Sequence, residues 1–103
     1  NDALPSILGY SAADLFAMGS SVLPELLHPE DAARYPAHLD RLRRLRPDET
    51  IAFEYRMRRK DGSWAWLSSL ERAFNFDQGS VTQILGAARE ITARKRAEHE
   101  AAN

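Results

Sequence analysis

The sequence contains no cysteine. That excludes disulfides, thiolate catalysis, Cys-ligated zinc and a cysteinyl chromophore adduct. It fits a reducing cytosol without requiring one. An excess of one charge sign is also missing: 14 Lys and Arg stand against 15 Asp and Glu, a net charge of −1. Such a balance gives no electrostatic basis for nucleic acid or an anionic membrane as partner. No apolar run approaches the roughly 20 residues that cross a bilayer, and no signal peptide is visible. The 3 histidines and the acids form no clustered acid–base pair or metal set, so the chain reads as non-enzymatic. What is present is 103 residues, 44% hydrophobic and 28% charged. That suffices for one domain with one core, and is too few for two.

The first third reads as short helices. Leu4, Ile7 and Leu8 fall at helical spacing, and Gly9 is placed to end that turn. Ser11 has the character of an N-cap, with Asp14 at the third helical position. Gly19-Ser20-Ser21 is a break, after which Val22, Leu23, Leu26 and Leu27 form another short apolar turn. His28-Pro29-Glu30-Asp31 opens a longer helix, because proline suits the first helical position and acids suit the positive end of the helix dipole. Tyr35, Leu39, Leu42 and Leu45 give it an apolar stripe. Pro36 predicts a kink or a second helical start, and Pro47-Asp48 closes the segment. Arg41, Arg43, Arg44 and Arg46 surround the stripe. Asp40, Asp48 and Glu49 offset them, so a solvated face accounts for these arginines better than a phosphate patch does.

The remainder is strand-like. Ile51, Phe53, Tyr55 and Met57 alternate with Ala52, Glu54, Arg56 and Arg58, the pattern of a half-buried strand. Asp61-Gly62 is the strongest turn signal. A two-residue type I′ turn there predicts pairing of Lys60 with Ser63, Met57 with Trp66, Tyr55 with Ser68 and Phe53 with Leu70. Paired residues share a face. Phe53, Tyr55, Met57, Trp64, Trp66 and Leu70 are therefore expected on the core side, with Glu54, Arg56, Arg58 and Leu67 opposite. A second turn lies within Asn75 to Ser80. A third strand runs from about Val81 to Glu90, with either Ile84 or Leu85 turned inward. That strand passes into a charged helix through Arg89-Glu90-Ile91-Thr92, with no Gly or Pro between. Thr92 is expected to accept from the first free N–H groups of that helix. Ala93, Ala97 and Ala101 give the helix a thin apolar stripe, too short to establish a coiled coil.

Together these pieces resemble the PAS sensor domain in its PAS–PAC form. The resemblance rests on Asn1-x-Ala3 leading to Leu8-Gly9-Tyr10-Ser11, and on His28-Pro29-Glu30-Asp31. It rests also on Glu54-Tyr55-Arg56-Met57-Arg58-Arg59-Lys60-Asp61-Gly62-Ser63 with Trp66 after it. The closing Glu90-Ile91-Thr92-x-Arg94-Lys95 is similar to the family's Asp-Ile-Thr exit motif. The resemblance implies an α+β fold, with an antiparallel sheet, short helices packed on one face and a C-terminal exit helix. It divides the chain into a PAS-like sensor domain over 1–92 and the start of a signalling helix over 93–103. Two departures stand out. Glu90 is one methylene longer than the family's Asp. The family's first two strands would precede Asn1, which leaves three strands and an open edge, a template for pairing with another chain.

The resemblance further implies a sensory and dimerisation module of a bacterial signal-transduction protein. Its location would be cytoplasmic, whether or not a parent protein is membrane-anchored. An output domain would follow Asn103, such as a histidine kinase of a two-component system or a cyclic-dinucleotide enzyme. Glu90, Ile91 and Thr92 would be the coupling residues. The expected partners are a second copy, through sheet or termini, and that output domain, with no nucleic acid and no direct membrane contact. A ligand-free structural dimerisation module is the other reading. The sequence requires no cofactor. Tyr35, His38, Leu39, Phe53, Tyr55, Met57 and Trp66 are the pocket candidates, able to hold a small apolar or aromatic ligand or simply to fill the core. His38, or with less reason His28, would be the ligand if the chain followed the haem-binding members, although one histidine on a helix more often has a structural role. The flavin-adduct subclass needs a cysteine that is absent, and no residue supports a non-covalent flavin.

Overall fold

A computed structural model describes residues 3–102. Asn1 and the side chains of Ala3, Ser20 and Leu23 lie outside the described residues. The order is α1 (Ala3–Leu8), α2 (Ala12–Met18), a 3₁₀ turn (Gly19–Ser21), α3 (Val22–Leu26), α4 (Pro29–Arg43), β1 (Thr50–Arg58), β2 (Trp64–Asp77), β3 (Ser80–Glu90) and α5 (Thr92–Ala102).

Local chemistry sets the helix ends. Asp14 N–H donates to Ser11 Oγ at 3.0 Å and Ser11 N–H to Asp14 Oδ2 at 3.4 Å, a reciprocal capping box that starts α2. His28 caps α4 by accepting from Glu30 N–H on Nδ1 at 3.1 Å, and Pro29 takes the first position. The helix continues through Pro36 without a second start. It stops at Arg43, earlier than the apolar stripe suggests, yet Leu45 beyond its end is still buried.

The three strands pair antiparallel in the order β1-β2-β3. The turn between β1 and β2 corrects the expected register. Arg59 N–H donates to Ser63 O at 2.7 Å and Gly62 N–H to Arg59 O at 2.9 Å, so Lys60, Asp61 and Gly62 form a three-residue loop. Asp61 Oδ1 accepts from Ser63 N–H at 2.8 Å and from Ser63 Oγ at 2.6 Å. Gly62 sits at a φ of 91°, the left-handed position that a three-residue hairpin loop demands. Met57 therefore faces Ala65, Tyr55 faces Leu67 and Phe53 faces Ser69. A slip of one residue exchanges the two faces of a strand. Ala65, Leu67, Ser69 and Glu71 turn inward, while Trp64, Trp66 and Leu70 lie outside beside Arg56 and Arg58. The two-residue turn with positive φ at both centres occurs at Gln78-Gly79 instead, at 51° and 83°. On β3, Ile84 pairs with Ala73 on the inner side and Leu85 with Arg72 on the outer, and both remain exposed.

Leu8, Leu26 and Leu27 from the helical layer pack on Phe53, Tyr55, Met57, Ala65 and Leu67. A smaller cluster of Leu42, Leu45 and Ala73 extends this core to the end of α4. The outer edge of β1 is occupied toward its C-terminal end: His28 N–H donates to Arg56 O at 2.9 Å and Arg34 Nη2 to Glu54 O at 2.6 Å. The open edge is that of β3, which among the described residues pairs with β2 alone.

Asp31 pins α4 to β1. It is 1% exposed. It accepts from Arg56 N–H at 2.7 Å, from Arg56 Nε and Nη2 at 3.0 Å each, and from Arg34 Nη2 at 2.8 Å. Burial by itself would raise the Asp31 pKa. The bonds from Arg56 and Arg34 outweigh it and hold the carboxyl at about 2. A depressed folded pKa contributes stability that is complete above the unfolded value of about 4 and is lost as pH falls toward the folded one. The urea midpoint is expected to drop from about pH 4 to about pH 2. Asp31→Asn is expected to flatten that acid step and to cost about 3 kcal/mol at neutral pH, because it leaves Arg56 without its buried partner. Equal acid steps in both proteins, measured by equilibrium unfolding, contradict this role.

Candidate ligand cavity and exit joint

Helix α4 and the inner face of β1 and β2 bound a cavity of about 160 Å³ lined by Leu27, Tyr35, His38, Phe53, Tyr55, Ser69 and Glu71. Tyr35 and His38 are three residues apart on α4 and so share one face of it. Phe53 and Tyr55 are two apart on β1 and share the inner face of the sheet. Their rings form a continuous stack. His38 lies 4.3 Å from Phe53 at 15°, and Phe53 lies 5.5 Å from Tyr55 at 22°. Two polar pairs cross the cavity wall: His38 Nε2 with Glu71 Oε1 at 2.7 Å, and Tyr55 OH with Ser69 Oγ at 2.7 Å. Burial pushes the Tyr55 hydroxyl pKa up, the Ser69 bond opposes it, and the charge of Glu71 adds to the rise. Burial and then Glu71 raise Tyr35 likewise. Glu71 has room because Gly86 faces it across the sheet: a Cβ at position 86 would come within 3.2 Å of Glu71 Cγ.

Of the residues singled out in the sequence, Tyr35, His38, Phe53 and Tyr55 line the cavity. Leu39 packs in the smaller cluster at the end of α4. Met57, 1% exposed, is in the main core and away from the lining. Trp66 is on the opposite face of the sheet, a consequence of the shifted register. Sequence reasoning missed Leu27, Ser69 and Glu71. The signal for the last two was Ser63, whose N–H and Oγ can both donate to Asp61 Oδ1 and so lengthen the loop by one residue. Haem does not fit these residues. His38 Nε2 is engaged with Glu71, its ring is stacked on Phe53, and the volume is well below the roughly 300–1,000 Å³ of pockets for drug-sized ligands.

The joint between β3 and α5 is held by the backbone of Trp66. Its C=O accepts from Ile91 N–H at 2.8 Å, and its N–H donates to Thr92 Oγ1 at 3.0 Å. Thr92 is thus the first residue of α5, and its hydroxyl is turned onto β2 in place of the expected cap on its own helix. Arg59 braces the same place. Its Nη1 donates to Ile7 O at 2.7 Å, and its Nη2 to Glu90 Oε2 at 2.7 Å and to Thr92 Oγ1 at 3.5 Å. The Arg59 bond holds the Glu90 carboxyl below its usual range. Along α5, Lys95 Nζ lies 4.9 Å from the Trp66 ring centroid, and the Arg56 guanidinium lies 4.8 Å from the same ring. Glu54 pairs with Lys95 at 2.7 Å and also with Arg94.

A family model described as the PAS fold matches residues 1–88. The chain belongs to the PAS family. Among solved structures, a sensory box histidine kinase/response regulator from Burkholderia thailandensis is 33% identical with a TM-score of 0.60, over 74% of this PAS chain and 56% of that chain. This PAS chain therefore spans little more than half of that one. The PAS-B domain of Drosophila melanogaster Cycle, with bound ethylene glycol, is 26% identical with a TM-score of 0.61, over 84% and 82% of the two chains. A light-oxygen-voltage domain studied with a flavin analogue is 19% identical with a TM-score of 0.58, over 97% and 73%, and shares the fold alone. No curated protein matches. No helix among the described residues is long and apolar enough to cross a membrane.

The His38–Glu71 pair makes a measurable claim. Glu71→Leu leaves a buried imidazole without its acceptor and is expected to cost about 1–3 kcal/mol. Adding His38→Leu is expected to recover most of that loss, since removing both partners leaves nothing unsatisfied. Strictly additive losses in a double-mutant cycle by denaturant unfolding contradict the pair.

Proposed function

We propose that this PAS domain is the sensory module of a bacterial signal-transduction protein, in which a ligand or partner alters the sheet and the exit helix carries the change to an output domain. The observation that carries this reading is that β2 serves both sites. Ser69 and Glu71 line the cavity, and Trp66, three residues before Ser69, holds Ile91 and Thr92. A ligand that displaces Ser69 or Glu71 acts on the same strand that fixes the base of α5. Two arrangements of that strand then bias α5 between two directions, and the ligand selects whichever it binds better. Glu90, Ile91 and Thr92 are the coupling residues, with Arg59 as their brace. The likeness to the Burkholderia kinase supports a two-component setting with a histidine kinase beyond Asn103; a cytoplasmic location, and a cyclic-dinucleotide enzyme as the other output, belong to the same proposal. The ethylene glycol in the Cycle PAS-B structure supports small-molecule binding by domains of this shape.

Thr92→Val tests the joint. It keeps the side-chain volume, removes the acceptor and leaves the Trp66 N–H unsatisfied, at a cost of about 1–3 kcal/mol. Faster amide exchange at Trp66, Ile91 and the first turn of α5 is the expected result. In a protein joining this domain to its output, the signal response is expected to flatten. Unchanged exchange with an unchanged response would falsify the joint as the relay.

A structural role in pairing two copies has its own support. Leu70 and Leu85 are 56% and 52% exposed, and with Ala52 and Ala87 they form an apolar strip on the outer face of the sheet. Sedimentation velocity is expected to detect a dimer that Leu70→Lys weakens by at least about ten-fold, equivalent to about 1.4 kcal/mol. A wild-type chain that stays monomeric across concentrations removes this reading.

A further inference from the structure

The cavity between α4 and the sheet has a chemical polarity. Glu71 is the one acid in its lining, which contains no Lys or Arg. Glu71 Oε1 is taken by His38, while a carboxylate offers about four acceptor sites, so Oε2 is left for a further donor. Tyr35, Phe53 and Tyr55 supply its aromatic lining, and the His38 ring is stacked on Phe53 at 4.3 Å. Aromatic faces carry the negative part of the ring quadrupole and attract cations. Phe53 already does so: the Arg34 guanidinium lies 4.8 Å from its ring centroid. That guanidinium is not among the lining residues, is half exposed to solvent, and has its Nη2 held by Asp31 and the Glu54 carbonyl. The field of Glu71 reaches across the space, since its charge adds to burial in raising both tyrosine hydroxyls.

Resting on the reading of this cavity as the sensory pocket, we infer that its ligand class is a small organic monocation, an amine whose ammonium donates to Glu71 Oε2 while its ring or alkyl part lies against Phe53 and Tyr55. The volume of about 160 Å³ corresponds to roughly five waters at about 30 Å³ each. That suits one ring bearing a one-carbon amine and excludes a flavin-sized molecule. A carboxylate or phosphate ligand would meet Glu71 with no Lys or Arg in the lining to offset it.

Three probes of one shape separate the possibilities: benzylamine, benzyl alcohol and benzoate, titrated into the chain at about pH 7.5, where an aliphatic ammonium is charged. Calorimetry gives affinity, and amide NMR shifts at Tyr35, Ser69 and Glu71 report the place. Benzylamine is expected to bind at least about ten-fold more tightly than benzyl alcohol, through its charge-assisted bond, with benzoate weakest. Glu71→Gln is expected to reduce the amine to the level of the alcohol. If that variant unfolds, the amine-to-alcohol ratio of the wild-type chain decides the matter. Equal affinity for amine and alcohol, or a preference for benzoate, overturns the cation class and leaves the cavity as a sensory pocket. Binding of none of the three overturns the class and the ligand arm of the sensory reading together, while the exchange test at Thr92 still decides the joint on its own.

Discussion

Which side chains the sheet presents to α4 is decided by Lys60, Asp61 and Gly62. The Asp61 carboxylate takes both donors of Ser63, which stabilises a loop of three residues and fixes the pairing of β2 against β1. The alternative two-residue loop would turn Trp64, Trp66 and Leu70 toward the helices. The adopted register instead sets small residues of β2 against large ones of β1, with Ala65 opposite Met57 and Ser69 opposite Phe53. Interiors are packed to high density, so two inward indoles would occupy the space between sheet and helix. The cavity exists because Ser69 and Glu71 stand where larger apolar groups would otherwise be, and because Gly86 carries no side chain to crowd Glu71.

The second constraint is the Asp31 carboxylate. Its four accepted bonds, all from Arg56 and Arg34, fix the first turn of α4 over β1. From that fixed start, helical geometry carries Tyr35 and His38 to the ring of Phe53, which stacks in turn on Tyr55. Arg56 belongs to both layers. Its backbone and guanidinium hold Asp31, and the guanidinium also lies against Trp66, whose other cation is Lys95 of α5. The start of α4 and the body of α5 are therefore joined through two side chains. Contiguity of this kind is a route along which strain can pass, and it becomes coupling only where the elements have two arrangements.

Much of this was legible in the sequence because it is local. The Ser11–Asp14 box, the His28-Pro29 entry and the alternation of β1 depend on residues within a few positions of one another, and each forms as its pattern implies. The register was not, because Asp-Gly serves both loop lengths and the deciding bond is made by the residue after it. That single ambiguity moved Trp66 to the wrong face and hid Glu71. The role of Thr92 was misread for a different reason. A threonine at a helix start normally serves its own helix, but the Trp66 N–H, next to the last ladder pair of β2 with β3, claims the same oxygen. Nothing local distinguishes the two outcomes. The cavity is further still from the sequence, since a void is what remains after all the surrounding groups have packed. Four of its lining residues were nonetheless identifiable as inward aromatic or helix-face positions.

The joint at Glu90–Thr92 combines two kinds of contact that differ in cost. The bonds from Trp66 to Ile91 and Thr92 are directional and use backbone groups, so they fix the base of α5. The pairs of Glu54 with Arg94 and Lys95 are partly exposed, and ion pairs of that kind contribute little, about 0–1 kcal/mol each. An 11-residue helix is marginal without packing, so its direction depends on what touches it. The base of α5 is therefore expensive to move and its body inexpensive. A strained β2 would pivot the helix about Thr92 rather than detach it, and small displacements at the sheet would grow with distance along the helix. That division of stiffness fits the proposed relay. Arg59 reinforces it by binding the α1 carbonyl of Ile7 and the Glu90 carboxylate at once, which ties the pivot to the helical layer on the far side of the sheet.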